Sequence, residues 1–295
     1  MAVTTAPGRT AVRVRPKSRF GTFLRQRGLL WIGIAVIAVY CLAPFYWMIV
    51  SSLKGNPLLD QGLYPHRLTF ANYTAVFSSQ NKFQLALRNS VIIAATATIL
   101  ALLIGVFSSY ALARLQFRGK GLVLGVVLAT AMFPLIALLT PLFKLFSDLG
   151  WIDTYPPMII TDISFTLPLS IYVLTTFFSE MPWELEMAAK VDGATPGQAF
   201  RKVIVPLAAP GVFTAAIIVF IAAWNEFLIA YTMTQTLKAE PVTVAIAKFT
   251  GASQFEQPFG SIMAAGVLVT VPLVIVVLFF QRRIVAGLTA GGVKG

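Results

Sequence analysis

Six stretches of this chain are each apolar over more than the about 20 residues that a helix needs to cross a bilayer. They run roughly from Leu29 to Leu53, Asn89 to Ala113, Gly121 to Phe146, Pro157 to Ser179, Ala208 to Met233 and Ser261 to Gln281. The first two hold no charge, and the second is bounded by Arg88 and Arg114. Across the other four the only charged side chains are Lys144, Asp162 and Glu226. The chain is 57% hydrophobic and 12% charged, against about 25% charged in soluble domains. That leaves too little polar surface to wrap a water-soluble core of this size. The expectation is an all-α integral membrane protein with about six transmembrane helices, in contact with the lipid bilayer. The first stretch exceeds the about 7–15 apolar residues of a secretory signal. It is expected to persist as a helix, with Cys41 as a packing residue.

Lys and Arg in short loops favour the cytoplasmic side. With the N-terminus in the cytoplasm, sixteen of the 23 basic residues fall inside. They are Arg9, Arg13, Arg15, Lys17, Arg19, Arg25 and Arg27, then Arg114, Arg118 and Lys120, then Lys190, Arg201 and Lys202, and finally Arg282, Arg283 and Lys294. Outside fall Lys54, Arg67, Lys82, Arg88, Lys144, Lys238 and Lys248. Six spans return the C-terminus to the cytoplasm. The net charge of +12 then faces an anionic leaflet, and no nucleic-acid partner is expected. One cysteine and one histidine, His66, exclude an internal disulfide and a zinc site built of His and Cys. No metal is expected.

The chain divides into a basic cytoplasmic tail (1–28), a first transmembrane helix (29–53), an external loop (54–87), a core (88–283) with five transmembrane helices, and a cytoplasmic tail (284–295). The external loop carries Pro57, Pro65 and Asn72 and is long enough to pack as a small cap. Its His66 reads as a plain loop residue. The loops 147–156 and 235–258 carry Asp148, Trp151, Asp153, Glu240 and Glu256. They either meet a soluble partner or are merely solvated.

The cytoplasmic segment 182–206 is the most organised of the connections. Pro182 suits a helix start, with Glu184 and Glu186 near the positive end of the dipole. Ala188 and Ala189 leave a side open to close approach. Asp192-Gly193 reads as a helix stop. Thr195-Pro196-Gly197-Gln198 has the form of a capping box with Pro at the first helical position. A second short helix is expected to reach Val205, limited by Pro206. Two short helices with a break suit a rigid knob that docks on a cytoplasmic partner and carries its movement to the attached spans.

Met187-Ala188-Ala189, then Gly193, then Val203-Ile204-Val205-Pro206 keeps the spacing Glu-Ala-Ala, three residues, Gly, nine residues, Ile-x-Leu-Pro. It resembles the cytoplasmic signature of permease subunits in binding-protein-dependent ABC importers. Met187 stands where that family has glutamate, and Val203 and Val205 replace Ile and Leu. Pro44-Phe-Tyr-Trp-Met48, Asn89-Ser90, Ser109-Tyr-Ala-Leu-Ala-Arg-Leu-Gln-Phe-Arg-Gly119 and Trp224-Asn-Glu-Phe227 are similar to the maltose-type sugar permeases, second-subunit branch. Asp192 to Pro210 and the ending Phe280 to Thr289 resemble the trehalose importers among them.

The resemblance implies a type I ABC importer permease fold in a bacterial plasma membrane. It implies a second permease subunit, two ATPase subunits, an external solute-binding lipoprotein and a sugar substrate, a disaccharide such as trehalose or maltose. It makes Glu184, Glu186, Met187, Ala188, Ala189, Asp192, Gly193 and Pro206 the residues that couple to the ATPase. Either Glu184 or Glu186 takes the role of the missing family glutamate. No Gly-x4-Gly-Lys-Ser/Thr occurs in the chain. ATP and Mg are therefore expected on the partner ATPase, with no cofactor in this chain and no catalytic residue.

Within the spans Asn225 and Glu226 stand out. A charge at helix centre costs about 2.5–3.5 kcal/mol on insertion scales and needs a partner or water. Either they line the solute pathway, or they form a paired structural group. Asp162 and Lys144, near external membrane ends, are expected to snorkel or be solvated. Pro134, Pro141, Pro168 and Pro272 are expected to kink their helices. An ion-coupled secondary transporter is the main alternative, since such folds use buried ionisable groups. An ABC permease for another solute is the other.

Overall fold

The computed structural model describes residues 19–56, 58, 60, 62–78, 82–249 and 258–290, excepting the side chains of 19–27, 29 and 281–290. Arg9, Arg13, Arg15, Lys17, Pro57, Glu256 and Lys294 lie outside the described residues, as do the side chains of Arg19, Arg25, Arg27, Arg282 and Arg283. Among the described residues every regular element is helical. Four helices are long and apolar enough to cross a membrane, and six spans result if each of two bent pairs counts as one.

The chain forms two compact units, divided between Met48 and Ile49. Helix α1 (Arg19–Ser52) contains Pro44 without ending there. Most of its described apolar residues from Leu30 to Trp47, including Trp31, Ile37 and Tyr40, are exposed. Cys41, expected to pack, is exposed as well. That is the surface a lipid-facing helix needs.

In the second unit α2 (Ala71–Val76) precedes the central helix α3 (Phe83–Arg114). On α3 the residues Ala86, Ser90, Ala94, Ala97, Ala101, Gly105 and Ser109 recur every three or four positions and are buried. Lipid gives helices no hydrophobic reason to associate, so close approach along small residues must supply dispersion contact instead. α6 (Pro156–Glu180) and α10 (Ala209–Trp224) pack onto this stripe. The opposite face of α3 exposes Ile99, Leu103, Ile104 and Phe107. α13 (Phe259–Ala290) packs on α10 and carries Pro272 inside it, as α6 carries Pro168.

Two of the expected spans are not single helices. Gly121–Phe146 resolves into α4 (Lys120–Ala131) and α5 (Leu135–Asp148), which meet at 86°. Pro134 disfavours a helical Phe133 and has no N–H to donate, so the ladder stops. Its carbonyl then accepts from Ala137 N at 3.1 Å as α5 begins. Pro141 lies inside α5. Ala208–Met233 resolves into α10 and the short α11 (Leu228–Met233), interrupted at Asn225–Phe227.

Polar side chains tie down the segments between helices. Lys54 is fully buried, and its Nζ donates to the carbonyls of Asp60 at 2.7 Å and Gly62 at 2.5 Å. Asn72 Nδ2 donates to the carbonyls of Ser52 and Lys54 at 2.9 and 2.7 Å. These bonds tie the described residues of 52–72 together, and α2 rests on α13. His66 is more than a loop residue. Its ring lies 2.7 Å from Asp60 Oδ1, and its N–H donates to Asp60 Oδ2 at 3.1 Å, holding the Asp60 carboxyl below the usual range. Deeper, Asn89 accepts from the Tyr155 hydroxyl at 2.8 Å and donates to the carbonyl of Glu240 at 3.0 Å. Ser90 Oγ accepts from Val242 N at 2.8 Å, where α12 (Val242–Ala247) begins. Asp153 Oδ1 accepts from Gln235 N and Thr236 N at 2.6 and 2.8 Å.

Two helical glycines give opposite expectations. A Cβ on Gly105 would meet Leu174 Cδ1 at 3.4 Å, ordinary contact, whereas one on Gly211 would lie 2.5 Å from the Phe177 ring. Gly105→Ala, gaining up to about 1 kcal/mol of helix propensity, is expected to hold or raise the thermal midpoint of the detergent-solubilised complex. Gly211→Ala is expected to lower it, through about 1–3 kcal/mol of overpacking.

Candidate functional site: a helix-break-helix loop and an interrupted span

After α6 the chain turns at Met181-Pro182 into α7 (Trp183–Val191), with Glu184 and Glu186 in its first turn and Lys190 in its last. The helix ends in a Schellman motif. Ala194 N donates to the carbonyl of Ala189 at 2.9 Å, and Gly193 N to that of Lys190 at 3.1 Å. Gly193 has φ +85°, the left-handed region, and nothing would obstruct a Cβ there. Glycine is therefore required by backbone conformation, not by space.

Thr195 then caps α8 (Pro196–Ala199) with the expected box. Its Oγ1 accepts from Gln198 N at 3.3 Å, while Gln198 Oε1 accepts from Thr195 N at 2.9 Å. The helix widens into a π-turn over Phe200–Ile204 and closes as α9 (Val205–Leu207). The widening has a cause in Pro206, whose ring would strike the carbonyl four residues back in a regular α-helix. Pro206 was expected to limit this helix. The turn persists instead to Leu207, and the chain bends by 69° at Ala208 into α10.

Seen residue by residue, the loop has two faces. Glu184, Met187, Ala188, Asp192, Gly193 and Pro206 are exposed and Ala189 is half-buried. Leu185 and Val191 are exposed too, Val191 by 85%. Glu186 is turned the other way and is buried. Its Oε1 takes the Lys190 ammonium at 2.9 Å and the Tyr110 hydroxyl at 3.2 Å. Two residues apart on a helix means about 200° of rotation, so Glu184 and Glu186 cannot share a face. Behind the loop Leu174, Phe178, Ile204 and Ala208 form a buried cluster with Tyr110 and Phe200 against it. The attachment side sets this apolar cluster beside the buried Glu186, and the free side mixes the carboxylates of Glu184 and Asp192 with apolar side chains.

The second polar constellation is the interruption of the fifth span. Glu226 caps α11 with both carboxylate oxygens: Oε1 accepts from Ile229 N at 2.7 Å and Oε2 from Ala230 N at 2.9 Å. Its carbonyl accepts from Thr243 Oγ1 at 2.8 Å. The carboxyl oxygens thus meet backbone donors that the break has freed. Asn225 is exposed and its Nδ2 donates to the carbonyl of Ile221 at 2.8 Å. Asp162, expected to be solvated, is buried, 5% exposed, because α10 and α11 close over α6. It shares a void of about 10 Å³ with Glu226, Ser90, Met158 and Pro241. Lys144 is exposed, as expected. Among the described residues no cluster of His, Cys, Asp and Glu is placed to hold a metal.

Sequence reasoning missed the polar ties of Asn89, Ser90, Tyr110 and Arg114. Each lies in a segment that carries the family resemblance, but its partner is dozens of residues away.

Helical throughout the described residues, with interrupted spans and a helix-break-helix loop, the chain has the build of a polytopic membrane protein. Residues 101–289 match the family described as binding-protein-dependent transport system inner membrane component. The trehalose transport system permease protein SugB of Mycobacterium tuberculosis is 51% identical over 272 residues, covering 92% of this chain and 99% of that one. The trehalose/maltose transport system permease protein MalG of Thermococcus litoralis is 43% identical over 272 residues, covering 92% and 98%. In fold, a chain of a bacterial ABC transporter involved in the import of the acidic polysaccharide alginate superposes with a TM-score of 0.74 at 23% identity, covering 90% and 98%. The chain belongs to the family of inner membrane components of binding-protein-dependent transport systems, which are non-catalytic membrane subunits. That membership sets aside an ion-coupled secondary transporter.

Glu226 is the residue on which the interruption turns. Glu226→Ala is expected to lower the thermal midpoint of the purified complex through loss of a cap worth about 0.5–2 kcal/mol. Glu226→Gln, which keeps one acceptor, should lose less.

Proposed function

We propose that the chain is one of two permease subunits of an ATP-driven importer in a bacterial plasma membrane, with both termini in the cytoplasm. Its cargo is a sugar, most directly a disaccharide of the trehalose or maltose type. An external solute-binding protein delivers the sugar, and two ATPase subunits holding ATP and Mg supply the work. The loop Pro182–Pro206 takes up the movement of the ATPase pair. The spans attached to it then rock, opening the pathway outward and afterwards inward.

The observation that carries this reading is the two-faced loop. Its inner side packs on the spans, and its outer side presents Glu184, Leu185, Met187 and Val191, around the signature residues Met187, Ala188 and Gly193. An exposed apolar side chain beside a carboxylate suits a groove with an apolar floor and a basic rim. Glu184, not the buried Glu186, is the carboxylate available to a basic residue on the ATPase, and it stands in for the glutamate that Met187 replaces. Asn225, exposed at the interruption, is assigned to the solute pathway, while Glu226 holds the interruption in shape. The sugar assignment draws on the printed functions of the relatives at 51% and 43% identity.

Val191→Arg and Met187→Arg change only exposed side chains. Each would bury an unpaired charge in the docking groove, enough to weaken the contact by at least about ten-fold. In proteoliposomes with all subunits, sugar uptake is expected to fall accordingly while the permease pair stays assembled. Uptake at the unaltered rate would overturn the docking assignment. In the same preparation trehalose or maltose, with its binding protein, is expected to stimulate ATP hydrolysis; stimulation by another solute alone would overturn the disaccharide assignment.

A further inference from the structure

Family logic assigns the loop's movement to the spans that flank it in sequence, α6 and α10. The geometry adds a third recipient. About two turns of α3, from Phe107 to Arg114, touch the loop at three places. Arg114 is only 4% exposed, and its Nη2 donates to the carbonyl of Met181 at 2.8 Å, just before α7. Its guanidinium carbon lies 4.7 Å from the centre of the Trp183 ring, on the first residue of α7. One turn along α7, Glu186 accepts from the Tyr110 hydroxyl at 3.2 Å. Across the break, the Phe200 ring lies 4.5 Å from Tyr110 and 5.5 Å from Phe107, centre to centre. Tyr110 also meets Phe178 edge-on at 5.9 Å, tying the same spot to the end of α6.

Positions 107, 110 and 114 lie on one face of a helix. Three contacts that are not in line remove the tilting freedom of a rigid body. The start of α7, its middle and the second loop helix are each held to α3, so the loop cannot tilt without moving α3 or breaking this clamp. Arginine and glutamate are rarely buried unless paired, and a merely stabilising contact at this place would be served by apolar side chains. Two of the clamp's contacts instead use charged groups: Arg114 donates to the Met181 carbonyl, and Glu186 accepts from the Tyr110 phenol.

We propose that Tyr110 and Arg114 are positioning residues for transport. They clamp the loop to α3 and deliver the ATPase stroke to the helix whose small-residue stripe packs both α6 and α10. This rests on the reading of the loop as the ATPase-docking element. Coupling to α6 and α10 alone moves two helices separately. Coupling through α3 moves the element they both pack on, so the spans shift together.

The test uses the complete transporter in proteoliposomes and reads sugar transported per ATP hydrolysed, with the amount of assembled complex measured separately. Tyr110→Phe deletes one oxygen and keeps the ring. It is expected to lower that ratio about three- to ten-fold at unchanged assembly. Glu186→Leu is expected to lower it similarly, Glu186→Gln to recover most of the loss by restoring an acceptor, and the Tyr110→Phe/Glu186→Leu pair to be no worse than either alone. A purely structural contact would lower assembly or both activities together and leave the ratio as it was. An unchanged ratio in Tyr110→Phe, with Val191→Arg still blocking uptake, would overturn the clamp and leave the docking reading standing. An unchanged ratio in Tyr110→Phe together with normal uptake in Val191→Arg would overturn both.

Discussion

Close packing of α6 and α10 onto the small-residue stripe of α3 is the interaction on which the rest depends. In lipid the usual driving force for burying side chains is absent, since the surroundings are as apolar as the core. What remains is contact density, and Ala94, Ala97, Ala101 and Gly105 let backbones approach where larger side chains would hold them apart. Each element with a polar task hangs from this three-helix unit. The loop carrying Glu240 and the start of α12 attach through Asn89 and Ser90 at one end of α3. The loop 182–206 and the turn before it attach through Tyr110 and Arg114 at the other.

The second constraint is that a backbone in lipid must satisfy its own donors and acceptors. The chain is interrupted near Pro134, at Asn225–Phe227 and at Ala208, and each interruption is answered locally. Glu226 supplies two acceptors for α11. Pro134 removes a donor and lends its carbonyl to the next helix. A π-turn absorbs the ring of Pro206 before the bend at Ala208. Interruptions of this kind cost little when answered, and they let a span hinge where a continuous helix would only slide.

Much of this was legible in the sequence, for physical reasons that differ by element. The apolar runs were readable because a bilayer sets a length that no soluble core helix needs to match. The loop was readable because capping is local: Thr195 and Gln198 find each other three residues apart, and Gly193 serves a conformation that only its own backbone decides. The bends were readable only in part: the kink expected at Pro134 is there, but which of the prolines would break a helix was not legible. Pro44, Pro141, Pro168 and Pro272 lie inside helices and end none of them, whereas Pro134 marks a bend of 86°. A proline's presence does not reveal whether neighbours will support a kinked ladder. The depth of Asp162 and the inward turn of Glu186 were hidden too, since α10, α11 and Tyr110 come from distant parts of the chain.

The account stands on one claim: the permease does no chemistry of its own and is driven through the loop by another subunit. The direct measurement is accumulation of labelled disaccharide in proteoliposomes holding the permease pair with binding protein, before and after the ATPase pair and ATP are added. The account predicts no accumulation beyond equilibrium before the addition and accumulation against a gradient after it. Accumulation against a gradient by the permeases without any ATP-hydrolysing subunit would contradict it.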